Sequence, residues 1–335
     1  MRIGVAGSGR IGAFHAATLA GLDAVDEVVL ADAHPDTARQ VAAELDVRAV
    51  DSVDELIASG IDGLVITAAT SAHATLLRAA LRADLPTFCE KPVAGTLEES
   101  IDLVRLERAV DAPAQIGFQR RFDAGYREAK RAVDAGELGF VHTVRVNTHD
   151  QSPPPAAYLP TSGGLFRDCS VHDFDILRFV TGGEVTRVYG VGANKGADFF
   201  TDADDVDTAA AVLTLDDDTL VVASATRYNG GGHDVRMEVM GSAGTVGVGV
   251  DDSLAMRSAE AGVAWPAGPQ KWSFMERFLP AYRAELTRFV DVARGRAESP
   301  CTIADALQAA RIAEACDISR RERRPVDLVE IANVG

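Results

Sequence analysis

Gly7-Ser8-Gly9-Arg10-Ile11-Gly12 follows the apolar run Ile3-Gly4-Val5-Ala6 and opens the helical stretch 11–22, and this placement decides the fold. Between a strand and a helix, G-x-G-x-x-G has a mechanical meaning. The first glycine permits a tight turn, the second lets backbone approach a pyrophosphate, and the third allows close helix-strand packing, while the helix N-terminus aims N–H groups at the anion. Asp32 stands 20 residues after Gly12, at the end of the second apolar run, 28–31. A carboxylate there accepts hydrogen bonds from both ribose hydroxyls. Gly7, Gly9, Arg10, Ile11, Gly12 and Asp32 are therefore candidate cofactor-binding residues. Asp32 would also repel a 2′-phosphate, and Ala33-His34-Pro35 offers no arginine to hold one, so NAD is expected over NADP.

Outward from this motif, short apolar runs at 3–6, 28–31, 64–67, 87–89 and 114–116 alternate with amphipathic stretches. That is βαβ order, hence a parallel sheet covered on both faces. After Phe118 longer alternating segments take over, at 141–148, 186–191, 208–215, 220–227 and 235–240, separated by Gly and Asp turns. They predict an α+β domain with a large, mostly antiparallel open sheet. Asp216-Asp217-Asp218 reads as a hairpin turn, and two helical stretches, 280–294 and 303–320, close the chain. The expected division is a Rossmann domain over 1–118 and a substrate-binding and oligomerisation domain over 119–335.

With 335 residues, 47% hydrophobic, the chain has ample apolar surface for two domains and should fold throughout. Its 33 basic and 50 acidic residues leave a charge of −17, which repels phosphate backbones and anionic headgroups, so neither nucleic acid nor a membrane surface is an expected partner. Cys89, Cys169, Cys301 and Cys316 stand far apart without a C-x-x-C pair, which suggests neither a zinc cluster nor a disulfide framework. The first residues run straight into the glycine motif, with no apolar signal-peptide core, so a cytoplasmic protein is expected.

The remaining cofactor candidates sit where the parallel strands end. Thr70-Ser71-Ala72-His73 follows the run at 64–67, at the carboxyl edge where ligands bind in such sheets; His73 either borders the nicotinamide or caps its helix. Glu90-Lys91-Pro92 follows the run at 87–89, which brings Glu90 and Lys91 to the same edge. Together with the fingerprint and the domain order, this E-K-P resembles the Gfo/Idh/MocA oxidoreductase family, in which the lysine lines the active site. Gly163 to Asp175, GGLFRDCSVHDFD, resembles the family's D-x-x-x-H-x-x-D helix. Spacing supports it: Asp168 and His172 at i, i+4 share one helical face, with Asp175 three residues further on.

Oxidising an alcohol requires a base for the hydroxyl proton while hydride leaves carbon, and imidazole suits that task near neutral pH. His172 is the candidate base. Asp168 can orient the substrate or the ring, and Lys91 can stabilise the developing alkoxide. Competing readings are a solvated i, i+4 pair, or a metal site made of Asp168, His172 and Asp175. The apolar neighbours Val171, Phe174, Ile176 and Leu177 speak against both, and no metal is expected.

Further segments resemble the inositol dehydrogenase branch of that family. Gly117-Phe118-Gln119-Arg120-Arg121-Phe122-Asp123 is similar to its G-F-M-R-R-Y-D, which implies that Arg120 faces the substrate; an ion pair across the domain boundary is the alternative. His149-Asp150-Gln151 resembles a polyol-binding His and Asn on a long loop, or is a solvated loop. Residues 275–282 resemble an R-F-x-x-A-Y helix near the site, or are core. Gly230-Gly231-Gly232-His233-Asp234 departs from the branch's Y-x-Y-D, placing His233 where a substrate-contacting tyrosine is expected, and Gln151 replaces the Asn. The resemblance implies NAD-dependent oxidation of a ring hydroxyl of a cyclic polyol, foremost myo-inositol to its 2-ketone, by a homotetramer. Arg120, His149, Gln151, Asp168, His172 and His233 are the substrate-binding candidates. Alternatives are scyllo-inositol or a hexopyranose as substrate, or a non-catalytic NAD-binding regulator; joint retention of Lys91, Asp168 and His172 disfavours the last.

Overall fold

Ile3, Gly4, Val5 and Ala6 are all buried in β1 (Arg2–Ala6), as a strand covered on both faces demands. The computed structural model describes residues 1–333 and divides into two units. In the first, β1 leads through α1 (Arg10–Ala20), β2 (Glu27–Ala31), α2 (Pro35–Leu45), β3 (Arg48–Ala49) and α3 (Val53–Ala58) to β4 (Gly63–Ile66). The alternation continues with α4 (Thr70–Arg82), β5 (Thr87–Glu90), α5 (Leu97–Glu107) and β6 (Ala114–Gly117). The strands lie in the order β3-β2-β1-β4-β5-β6, every pair parallel. Chain direction around the sheet reverses between β1 and β4, and the crevice at their carboxyl ends is where such sheets bind ligands.

The second unit carries α6 (Ala124–Asp134), β7 (Val141–His149), α7 (Leu159–Ser162), α8 (Val171–Thr181), β8 (Val185–Ala193), α9 (Phe199–Asp202), β9 (Thr208–Leu215), β10 (Leu220–Thr226), β11 (Asp234–Gly241) and β12 (Thr245–Val248). After α10 (Phe274–Ala293) and α11 (Ile303–Glu322), β13 (Val326–Asp327) completes a sheet ordered β12-β11-β7-β10-β9-β8-β13. Only β7 and β10 pair in parallel; the other neighbours are antiparallel. The acidic triplet does turn the β9–β10 hairpin, closed by the Leu215 N–H donating to the Thr219 carbonyl at 3.0 Å.

The domain expectation needs one correction. The first unit takes Met1–Gln119 and also Tyr282–Leu307, whereas the second takes Arg120–Ala281 and Gln308–Ala332, so 119–335 is not one continuous domain. The reason is a stripe on α10: Leu286, Phe289 and Val290 fall on one helical face and are buried with Ile3, Val5, Leu30 and Phe88 of the parallel sheet. Helix α10 also begins two turns before Pro280, which lies in its interior. Among the described residues no helix is long and apolar enough to cross a membrane.

Candidate active site

The glycine loop is held open by its neighbours. Gly7 adopts φ +105°, and a Cβ there would stand 2.5 Å from the Ala68 nitrogen. A Cβ on Gly12 would stand 1.9 Å from the Gly7 carbonyl oxygen, so these two positions require glycine for the backbone itself. Gly9 is different: it is exposed, and a Cβ there meets nothing within 4 Å. Ser52 and Thr96 cap α3 and α5 with their hydroxyls, but α1 has no side-chain cap and no acidic residue in its first turn. No cap or carboxylate of the helix itself thus competes there with an external anion. Asp32 accepts from the Ser8 N–H at 2.6 Å and the His34 N–H at 2.9 Å, which fixes the carboxylate beside the loop with lone pairs remaining for ribose hydroxyls. The exposed Gly9, the uncapped helix and the anchored Asp32 fit a dinucleotide.

At the same edge, Thr70 is the first residue of α4, Glu90 ends β5 and Lys91 follows it, both half-buried. His73 joins two segments at this edge. It is buried, with Nδ1 2.7 Å from the Pro92 carbonyl oxygen and Nε2 2.9 Å from the Ala68 carbonyl oxygen, so it staples the turn after β4 to the segment after β5. No side chain caps the N-terminus of α4, so His73 is not its cap. His15, which sequence reasoning missed, is fully buried beneath Phe14, Phe88 and Tyr282 and places Nε2 2.7 Å from Glu90 Oε1. No sequence signal marks it beyond its place on the inner face of α1.

In the second unit Asp168 and His172 do not sit on one uninterrupted α-helix. Phe166–Ser170 is a π-helical turn that runs directly into α8, so Asp168 is in the widened turn and His172 in the first turn of α8. A π turn holds an extra residue, which takes Asp168 off the i, i+4 row expected from spacing. Its carboxylate accepts from Tyr158 OH at 3.0 Å and Arg227 Nη2 at 2.6 Å. Burial and the adjacent Asp168 charge push the Tyr158 phenol up, which keeps it a donor. Asp175 is spent on a buried, two-pronged ion pair with Arg121 at 2.9 and 2.6 Å, away from any ligand role.

Arg120 already has partners within its own unit. Its side chain is buried, Nη1 donating to Asp173 at 2.5 Å and Nη2 to Thr148 at 2.8 Å, with the guanidinium over the Phe278 ring and Nε buried without a partner. The pair ties the Gln119–Phe122 turn to α8 and β7, and the partner lies in the same unit. His149, at the end of β7, has Nε2 2.9 Å from Ser224 Oγ; burial holds its pKa below the ordinary imidazole value against the pull of Asp234 and Asp173. Gln151 is exposed beyond it. His233 is buried, with Nδ1 3.2 Å from Asp150 Oδ1, while its Nε2 is buried without a partner.

Residues 1–118 match a family described as an oxidoreductase family with an NAD-binding Rossmann fold, and residues 126–247 match the Gfo/Idh/MocA C-terminal domain. The chain belongs to the Gfo/Idh/MocA oxidoreductase family. A myo-inositol dehydrogenase of Streptomyces leeuwenhoekii is 39% identical over 95% of this chain and 97% of its own length. Among solved structures, a myo-inositol dehydrogenase from Corynebacterium glutamicum superposes with a TM-score of 0.89 at 32% identity, covering 98% of each chain. A scyllo-inositol dehydrogenase from Lactobacillus casei, with NAD(H) and scyllo-inositol bound, gives 0.89 at 28% identity over 98% of this chain and 99% of that one. This family member is an NAD-dependent oxidoreductase acting on CH–OH groups.

Proposed function

We propose that the protein oxidises a secondary ring hydroxyl of a neutral cyclic polyol, foremost myo-inositol at C2, to the ketone. One observation carries the polyol reading: the arginines gathered in the second unit are already neutralised. Arg120 pairs with Asp173, Arg121 with Asp175, Arg227 with Asp150 and Asp168, and Arg236 with Asp234. Such a set has no surplus positive charge for a phosphate, but it offers hydrogen-bonding groups to hydroxyls, the unpartnered Nε2 of His233 among them. The full-length likeness to inositol dehydrogenases supports the same class.

Alcohol oxidation removes a hydride from carbon and a proton from oxygen, and NAD, when bound, accepts the hydride. His172 takes the proton, Asp168 holds the ring or the reacting hydroxyl, and the Lys91 ammonium steadies oxygen as its proton departs. A screen of NADH formation across inositol isomers and aldohexoses tests this. Turnover is expected with myo-inositol and a kcat/KM at least tenfold higher with NAD than NADP, about 1.4 kcal/mol of discrimination set by Asp32. Equal values would remove Asp32 as the selector, and turnover confined to aldohexoses would overturn the substrate class.

We further propose a cytoplasmic homo-oligomer, tetrameric as the family resemblance implies. The four cysteines are buried thiols with no disulfide among them, in keeping with a reducing compartment. On the outer face of the open sheet, Tyr189 of β8 pairs with Val212 of β9, which pairs with Val222 of β10, and all three are exposed, as are Val191 and Leu220. An apolar row of this kind is normally covered by a symmetric copy. Light scattering at micromolar concentration should give a multiple of 35.4 kDa, and a monomeric particle would overturn the assembly.

A further inference from the structure

The sheet of the second unit brings three strand ends to one edge. Strands β7 and β10 run parallel with His149 opposite Thr226, so Asp150 and Arg227 emerge side by side. Strand β11 starts at the same edge, Asp234 facing His149, which brings His233 alongside. Backbone hydrogen bonds fix this corner: the Asp150 N–H donates to the Thr226 carbonyl at 2.9 Å, the Asn229 N–H to the Asp150 carbonyl at 2.8 Å, and the Arg227 N–H to the Asp207 carbonyl at 2.8 Å. The Arg227 guanidinium then reaches out in two directions, Nη1 to Asp150 Oδ2 at 3.0 Å and Nη2 to Asp168 Oδ2 at 2.6 Å. Its side chain is 4% exposed, so these charges meet with little water between them.

We propose that Arg227 is a positioning residue for the acid–base pair, holding Asp168 ionised and in a single orientation by bridging it to Asp150. The assignment rests on the reading of Asp168 and His172 as that pair. A carboxylate in a π turn has several side-chain directions to choose from, and the short bond from Arg227 with the bond from Tyr158 OH selects one. Asp150 is the fixed counterweight. Burial alone would raise its pKa, but the His233 hydrogen bond, the Arg227 charge and the Cys169 thiol at 3.4 Å bring it down to about 2, so it stays anionic across any working pH. From the strand edge Arg227 meets Asp168 directly and carries Asp150 on its other arm, with His233 against Asp150. Tyr158 donates to Asp168 from the turn at 156–158, and Cys169 and His172 follow it in the chain, in the π turn and in the first turn of α8.

Arg227 and Asp150 act on the pair with opposite signs, which gives a test that a merely structural role would fail. Removing the positive charge favours protonation of every neighbour, and removing the negative charge disfavours it. In Arg227→Met the titration of the His172 imidazole, followed by NMR in the cofactor-free chain and assigned with His172→Gln, should move up by about one pH unit. In Asp150→Asn it should move down, and Arg227→Lys should return it toward wild type. With polyol and NAD, kcat of Arg227→Met should fall about 10²-fold, as expected for a displaced catalytic group, with KM for NAD unchanged. A His172 titration that does not move, or moves the same way in both variants, overturns the assignment. Because that readout needs no turnover, opposite shifts in a protein inactive on polyols would leave the charge coupling standing and sink the functional reading instead. Should Arg227→Met fail to fold, Asp150→Asn and Arg227→Lys decide.

Discussion

Gly9→Val is expected to fold as the parent does and to bind NAD at least about 10²-fold more weakly, a loss of roughly 2.7 kcal/mol. Gly9 precedes α1 with φ −67° and ψ −171°, a conformation open to any residue, and a Cβ there meets nothing within 4 Å. The isopropyl group therefore costs the protein little and stands instead where a pyrophosphate must approach the uncapped N–H groups of α1. Gly12→Ala, by contrast, places its Cβ 1.9 Å from the Gly7 carbonyl oxygen and should lose stability before any question of binding arises. Calorimetric titration with NAD, paired with thermal melts of both variants, separates the two effects. Parental affinity in Gly9→Val would remove the loop from the cofactor site.

The contrast between those two glycines shows what a sequence can carry. The motif's place after an apolar run and before a helix was enough to locate β1, α1 and Asp32, because strand burial and turn geometry are local matters. Period-2 alternation likewise marked β7 to β11, where one face of the sheet is buried and the other is not. Three strands escaped notice: β3 and β13, of two residues each, are too short to show a period, and β12, Thr245–Val248, lacks a continuous apolar run. The allegiance of α10 was also illegible, since the stripe of Leu286, Phe289 and Val290 would suit any apolar face and only the tertiary fold chooses which.

The site divides along the same line. Asp168 and His172 were visible as a spacing, but the π turn that re-aims Asp168 was not, because it depends on what the turn packs against. Arg120 stood out by its position in a motif, but its buried pairing with Asp173 was not legible there. Arg227 and Asp150 meet through the register of two parallel strands whose residues are 77 positions apart, a pairing that no local pattern announces.

His172→Ala is expected to lose about 10²- to 10⁴-fold in kcat, the usual cost of removing a general base, while still binding NAD. Cofactor retention follows from the architecture, since the glycine loop and Asp32 belong to the first unit and His172 to the second. Lys91→Ala should fall comparably, because the ammonium is the positive charge assigned to the oxygen that loses its proton. The pH dependence decides between the two as acceptor. If His172 is the base, log(kcat/KM) declines below the free-enzyme pKa of that imidazole, and the decline disappears with the ring in His172→Ala. A His172→Ala enzyme within a few-fold of the parent rate would reject the assignment. The acid limb would then persist in the His172 variant and vanish in Lys91→Ala, transferring the role of proton acceptor to Lys91, with His172 left to orient the hydroxyl.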